Sequence, residues 1–367
     1  MKDLLYKVAL TKIPLVGAVT AKNLVSYCGG AREVFEARKK QLLRIPGIGE
    51  QTASSIINQT VLEEAEKEVA YLEQENITPL FYLDADYPQR LKHYSDAPVM
   101  LFYKGSANLN SRRTIGIIGT RKPTPQGIAL CENLVKDLTP YQPLIISGLA
   151  YGIDITAHRT SLDQGLNTVA VLGHGLKMIY PAQHKKTAFD MVEQGGLLTE
   201  FASHVNPERE NFPMRNRIVA GLCDALVVVE TANRGGSMIT AQLASGYNKD
   251  VFAFPGRVKD KYSQGCHQLI KNSIAQLTEG IDDIVAVLGW DKKGNIGDDK
   301  SLQPELFYAL TEEEKLVVDA IQAAEEIGVD QLSFQVKLNN SDLASLLLNL
   351  EFQGVVRSLP GKRYILT

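Results

Sequence analysis

The chain has 367 residues, 44% of them hydrophobic and 22% charged, with a formal net charge of −3; this is the balance of a water-soluble globular protein of two or three domains. No apolar run is long enough to span a membrane, and the N-terminal MKDLLYKVALTKIP lacks the uninterrupted apolar block of a secretory signal, so the expected location is the cytoplasm. A slightly acidic total excludes a globally basic surface, so any affinity for nucleic acid has to come from a local patch.

Residues 1–75 read as a helical domain with an internal repeat. Ile13-Pro14-Leu15-Val16-Gly17 is followed by Thr20-Ala21, and Ile45-Pro46-Gly47-Ile48-Gly49 by Thr52-Ala53, at a constant offset of 32 residues. The pattern resembles a tandem helix-hairpin-helix of the SAM-like kind, in which hairpin glycines expose N–H groups to a phosphate at a helix start. The second copy has both glycines, whereas the first has Leu15 in place of one. Lys22 follows the first hairpin, and no cation follows the second until Lys67. Direct DNA contact and a structural or docking role therefore both stay open for this domain. Glu63 to Glu75 is an acidic helix leading out of it.

Residues 76–290 read as an α/β domain. After an irregular lead-in from Thr78 to Asn110, apolar runs at Thr114–Gly119, Leu144–Ser147, Thr168–Leu172, Leu197–Thr199, Ala225–Val229 and Val251–Phe254 alternate with helical stretches. The helices are expected at Gln126–Leu138, Ile153–Gln164, Gln183–Gln194, Met214–Cys223 and Ser237–Tyr247. Such alternation predicts a doubly wound, mostly parallel, Rossmann-like sheet covered on both faces. Asp291 to Pro304 reads as a linker (291–304). In 305–367, Thr311-x-x-Glu314 is a capping-box signature opening a helix at Glu312–Glu326. Two shorter helices, near Asp330–Val336 and from Ser341 to Glu351, and a hairpin over Val355–Leu366 joined at Pro360-Gly361 complete a winged-helix pattern.

The α/β domain is centred on Ser147–Arg159, SGLAYGIDITAHR. A strand ends here, Gly148 and Gly152 allow a sharp turn, and a helix starts with Asp154 in its first turn. That arrangement suits an anion, and it suits tight packing equally well. A nicotinamide cofactor is not expected: the first βα turn, Gly119-Thr120-Arg121-Lys122-Pro123, is not GxGxxG, and the next strand ends in Ser147-Gly148 rather than in an acid for a ribose. No GxxxxGK[ST] occurs. Cys28, Cys131, Cys223 and Cys266 are scattered and read as buried thiols, and Cys266-His267 has no ligand-spaced companion, so no metal and no cofactor is expected.

Cations do recur where strands end. Arg121 and Lys122 follow the first strand, Lys185 and Lys186 with His184 the third, and Arg234, before Gly235, Gly236 and Ser237, the fifth. Arg257 follows the sixth, and Arg215 and Arg217 lie at a helix start in NFPMRNR. Strands of a parallel sheet share one carboxyl edge, so these groups are expected to form a rim above the glycine turns, suited to a polyanion. Arg215 and Arg217, two apart, point to different faces, and one is expected to be structural, paired with Asp224 or Glu230. His158, four residues after Asp154, reads as a structural hydrogen-bond partner rather than a base. Ser147 and Ser237 have no evident base, so no catalytic residue is assigned. The alternative is a nucleotide-binding hydrolase using Glu230; phosphoribohydrolases acting on nucleoside monophosphates, however, place the acid after a PGGxGTxxE glycine run, whereas Glu230 precedes the glycines.

Taken together, GTRKPTPQG, SGLAYGIDITAHR, VAVLGHGLKMIYPAQHKK, NFPMRNRIVAGLCDALVVVETANRGGSMITA and FAFPGR resemble the DprA/Smf family of DNA-processing proteins. The resemblance implies a cytosolic bacterial protein, without a known catalytic step, that binds single-stranded DNA during natural transformation. It also implies a homodimer and loading of the RecA recombinase onto that strand. By position, Arg121 and the lysines after Tyr180-Pro181 resemble the DNA-contacting cations, and Gly148 with Gly235-Gly236 the phosphate cradle. Two departures stand out. Many members carry Arg at the position of Tyr151, so this chain has one cation fewer there or a base-stacking ring in its place. The Ser341–Glu351 helix has no Lys or Arg and carries Asp342 and Glu351, which favours an interaction or stabilising role for the winged helix, with Arg357, Lys362 and Arg363 in its wing.

Overall fold

In the computed structural model the described residues are 2–290 and 311–366, without 325–326, 337, 339, 353–354 and 360–362. The expected linker at 291–304, the Pro360-Gly361 corner and Lys362 lie outside them. The chain divides into two compact units, 1–295 and 296–367.

The first unit opens with six helices, α1 (Lys2–Leu10), α2 (Ala18–Cys28), α3 (Ala31–Glu36), α4 (Lys39–Leu42), α5 (Glu50–Ile57) and α6 (Leu62–Gln74). The 32-residue repeat holds in the backbone: Gly17 and Gly49 precede α2 and α5 in extended conformation, and Leu15 and Gly47 occupy matching left-handed positions at φ 67° and 83°. Leu15 therefore adopts a conformation its Cβ disfavours. Lys22 Nζ donates to the carbonyls of Tyr94 and Ser95, 3.2 and 3.1 Å away, at the flank of the following domain.

The helical segment does not have a core to itself. Leu10, Leu24, Leu42, Ile56 and Leu72 share one apolar cluster with Phe81, Met100 and Phe102 of the sheet and with Val99 just before β2 (Met100–Gly105). Glu68 of α6, buried, accepts from the N–H and hydroxyl of Ser203 at 2.7 and 2.9 Å and ties the helices to a sheet loop. The helical segment and the sheet lie in one compact unit, 1–295.

The lead-in expected to be irregular holds β1 (Thr78–Phe81), α7 (Gln89–Lys92) and β2 (Met100–Gly105). Pro79 is compatible with β1 because that strand lies at the sheet edge. Then follow β3 (Thr114–Ile118), α8 (Pro125–Leu138), β4 (Leu144–Ser147), α9 (Ile153–Asp163), β5 (Thr168–Val171), α10 (Lys185–Glu193), β6 (Gly195–Thr199), α11 (Asn211–Leu222), β7 (Ala225–Val228), α12 (Gly236–Gly246), β8 (Asp250–Ala253), α13 (Gln264–Lys271), β9 (Gln276–Leu277) and α14 (Ile281–Leu288). α11 starts three residues before its expected Met214, because Pro213 is tolerated in a first turn where its missing N–H has no partner to lose.

The sheet order is β1-β2-β6-β5-β4-β3-β7-β8-β9. The pairs from β6 to β9 are parallel, while β2 runs antiparallel to both β6 and β1. The parallel strands β3 to β7 are buried along their whole length, as the apolar runs require. From β3 the chain winds outward through β4, β5 and β6, then returns to place β7 on the other side of β3. The carboxyl ends of β3 and β7 are therefore the topological switch point, where such sheets leave a crevice.

The second unit holds α15 (Glu312–Ala324), β10 (Ile327–Gly328), α16 (Val329–Val336), α17 (Asn340–Phe352), β11 (Val356–Leu359) and β12 (Arg363–Leu366). The capping box is formed: Thr311 Oγ1 accepts from the Glu314 N–H at 3.3 Å, and Glu314 Oε2 accepts from the Thr311 N–H at 2.9 Å. The sheet order β10-β12-β11 adds a short strand to the expected hairpin, packed over Val317, Ile321, Leu332, Leu343 and Leu347.

Candidate nucleic-acid interface

Parallel pairing brings the loops after β3, β4, β5, β7 and β8 to one edge of the sheet. At the switch point the Thr120 N–H donates to the Glu230 carbonyl at 2.7 Å. The Glu230 carboxylate accepts from the Thr124 N–H at 2.9 Å and from its hydroxyl at 2.6 Å. Thr124 Oγ1 in turn caps α8 by accepting from the Gly127 N–H at 3.0 Å. A Cβ on Gly127 would lie 2.3 Å from the Glu230 carboxyl carbon. Glu230 is thus buried and holds a helix start; its carboxylate is not presented to a substrate.

The next loop interlocks with this one. Gly152, at φ 79°, lies so close that a Cβ would fall 2.3 Å from the Thr120 carbonyl oxygen and 2.8 Å from the Arg121 carbonyl carbon. Gly148 rests on Arg215, where a Cβ would meet the guanidinium at 2.2 Å. Asp154, buried at the first turn of α9, accepts weakly from the Ala150 N–H at 3.4 Å. Burial raises its pKa, and the nearby Arg215 charge works against that rise. The turn that reads as an anion cradle therefore already contains a carboxylate at its helix start.

Several expected rim residues belong to the scaffold. Arg215 is 4% exposed and donates to the Gly148 carbonyl at 2.7 Å and to the Val171 carbonyl, joining the ends of β4 and β5. Burial lowers its pKa to about 10, which leaves it cationic at neutral pH. Arg217 pairs with Glu200 rather than with Asp224 or Glu230; Arg90 holds Asp224 through two bonds of 2.7 and 3.0 Å. Ser147 is buried and donates to the Ile117 carbonyl, and Ser237 donates to Thr231 Oγ1 at 2.6 Å. Gly235 donates its N–H to the Ala232 carbonyl at 2.9 Å, whereas around Gly236 a Cβ would meet open space. Asp154 and His158 do not bond each other: His158 Nδ1 shares a 2.7 Å bond with Thr168 Oγ1, and burial lowers its pKa to about 3. Cys131, Cys223 and Cys266 are buried as expected; Cys28 is only half-buried.

Arg121, Lys122, Lys185, Lys186, Arg234 and Arg257 are exposed, and among the described residues none of them forms an ion pair. Elsewhere Lys7, Lys12, Lys39, Arg90 and Lys104 each hold a carboxylate. Aromatic rings stand among the rim cations. The Arg121 guanidinium lies 5.7 Å from the Phe212 ring and Lys185 Nζ 5.7 Å from the Phe189 ring, while Tyr180 and Phe212 are 6.1 Å apart. Tyr180 and Phe189 are exposed. Sequence reasoning about charge passed over these rings; the spacing Lys185 to Phe189, one helical turn, was the available signal. Cations interleaved with exposed rings can hold phosphates and stack bases.

Comparison with known proteins points the same way. A family model described as DNA recombination-mediator protein A matches residues 78–289, a SAM-like helix-hairpin-helix tandem matches 8–60, and a DprA winged helix domain matches 304–362. Protein Smf of Synechocystis sp. is 31% identical over 392 aligned residues, covering 98% of each chain. DNA processing protein DprA of Streptococcus pneumoniae is 40% identical over 54% of this chain and 71% of its own. The solved structure of the Streptococcus pneumoniae protein superposes with TM-score 0.65 at 32% identity, over 78% of this chain and 98% of that one. A structure of DNA processing protein A from Helicobacter pylori, reported for its single-stranded DNA binding mode, gives TM-score 0.54 at 28% identity, over 59% and 97%.

Proposed function

The chain belongs to the DprA/Smf family, whose recombination-mediator model spans more than half of it, and from that premise we propose that it binds single-stranded DNA along the carboxyl edge of its sheet. The observation that supports the reading is the set of exposed cations that form no ion pair among the described residues, standing among the rings of Tyr180, Phe189 and the half-buried Phe212. Unpaired ammonium and guanidinium groups release counterions when they meet phosphates, and that release drives binding. Single strands are favoured because the cations sit in loops and at the first residues of α10, where they can follow a flexible backbone, and because rings stack only on unpaired bases. Arg121, Lys122, Lys185, Lys186, Arg234 and Arg257 are the proposed phosphate contacts, with the N–H groups near Gly236 beside them. Ser147, Gly148, Gly152, Arg215, Arg217, Gly235 and Ser237 act beneath them, by shaping the loops.

In this reading the protein protects incoming DNA and loads RecA during natural transformation, as a cytoplasmic homodimer and without a catalytic step. The winged helix serves interaction or stability, since α17 carries Asp342 and Glu351 and no Lys or Arg. Competition between a labelled single strand and unlabelled duplex of equal length tests the preference. Displacement by single strand at concentrations well below those needed for duplex supports it; equal displacement contradicts it.

A further inference from the structure

Tyr151 stands at the tip of the turn after β4 and is 42% exposed, unlike the buried Tyr87, Tyr103 and Tyr141 that build the core. It is nevertheless held in place. Its hydroxyl donates to Gln183 Oε1 at 2.7 Å, and its ring meets that of His184 edge to face, at 4.9 Å between centroids and 71° between planes. His184 is fixed in turn by a 2.8 Å bond between its Nδ1 and the Leu149 carbonyl, in the same turn. The following residue, Gly152, packs against the backbone of Thr120 and Arg121. The turn that carries the ring therefore adjoins the Arg121-Lys122 turn through Gly152, while the ring itself rests on Gln183 and His184, which lead into the Lys185-Lys186 helix start.

A phenol ring that served only packing would be covered, and one that served only solubility would not need two partners to hold it. Ordering an exposed ring costs rotamer freedom, and the arrangement is useful if something lies against the ring. Between two pairs of phosphate-binding cations, the group that arrives with the phosphates is a nucleobase. We propose that Tyr151 is a base-stacking subsite, against which one unpaired base lies while the flanking phosphates run over Arg121 and Lys185. The subsite rests on the single-strand reading above. It takes any base, because every base offers a π face.

The test compares the full chain with its Tyr151→Ala, Tyr151→Phe and Tyr151→Trp variants. Binding is measured by fluorescence anisotropy on an oligothymidylate and on an abasic strand of equal length. Stacking on one base predicts that Tyr151→Ala binds the thymidylate roughly tenfold more weakly, binds the abasic strand as the parent does, and keeps the parent's salt slope. Tyr151→Phe and Tyr151→Trp, which retain a ring, should recover most of the lost affinity. An equal loss on both strands, or no loss on either, overturns the subsite. Arg121→Ala, run in parallel, should weaken both strands and flatten the salt slope. If instead the parent chain bound neither strand, the single-strand reading would itself fail and the subsite with it.

Discussion

Arg121 and Arg215 carry the same guanidinium and meet opposite environments. Arg121 lies exposed beside Phe212, and Arg215 is buried with its fork on the carbonyls of two strand ends. Truncation should separate them. Arg215→Ala leaves buried carbonyls and Asp154 without their partner charge and should cost about 3 kcal/mol in denaturant unfolding. Arg121→Ala should change stability by less than about 0.5 kcal/mol while weakening single-strand binding. His158 gives a second prediction at this scale. Its pKa falls from 6.5 to about 3 because burial excludes the imidazolium. Below pH 6.5 the unfolded chain takes up a proton that the folded chain refuses, so this contribution to stability is present above that pH and is lost as pH falls. The loss amounts to about 2 kcal/mol by pH 5. Asp154 and Glu200, whose pKa values burial raises, act in the opposite sense. The difference between the parent and His158→Gln across pH 7 to 5 therefore isolates the histidine, and a parallel pair of stability curves would refute its assigned state. The sequence made the strand-end cations legible and left their fates unmarked: whether Arg215 or Arg217 turned inward depended on where β4, β5 and Glu200 stood.

Elements were legible where their pattern was local. The central strands are short apolar runs between glycine and polar turns, and they appear within a residue or two of expectation. The Thr311–Glu314 capping box is equally local. β1 and β2 were missed because Pro88 and Pro98 restrict the backbone and suggested an irregular path, although the run Met100–Tyr103 is apolar and becomes a buried strand. Glu230 was the element-scale ambiguity. Its nearness to the glycine-rich helix start at Gly235-Gly236 left a hydrolytic acid as the alternative, although its position before the glycines spoke against it, and only the pairing of β3 with β7 shows that it reaches the start of α8. Glu230→Ala should destabilise the chain by about 1 to 3 kcal/mol, since Thr124 loses both acceptors. Thermal or denaturant unfolding measures this. A hydrolytic Glu230 would behave differently: the variant would keep its stability and lose the release of free base from nucleoside monophosphates.

At the scale of the molecule, the helical repeat and the sheet form one body because Phe81, Val99, Met100 and Phe102 complete a core that the helices begin. No composition shift in the sequence announces that shared core, although separate family models match 8–60 and 78–289 on either side of residue 75. Lys22, through the carbonyls of Tyr94 and Ser95, and Glu68, through Ser203, tie the same junction together. What reaches solvent on the carboxyl edge is a set of cations that, among the described residues, form no ion pair, in a chain whose total charge is −3. In the proposed function this edge grips a single strand through those charges. The most direct measurement is titration of an oligonucleotide across a series of salt concentrations, with the parent chain and with the triple variant Arg121→Ala, Lys185→Ala, Lys186→Ala. The triple variant is expected to give a log–log slope shallower by about 2, roughly 0.7 for each phosphate contact removed, together with weaker binding at every salt concentration. Identical slopes and affinities for the two proteins would contradict it.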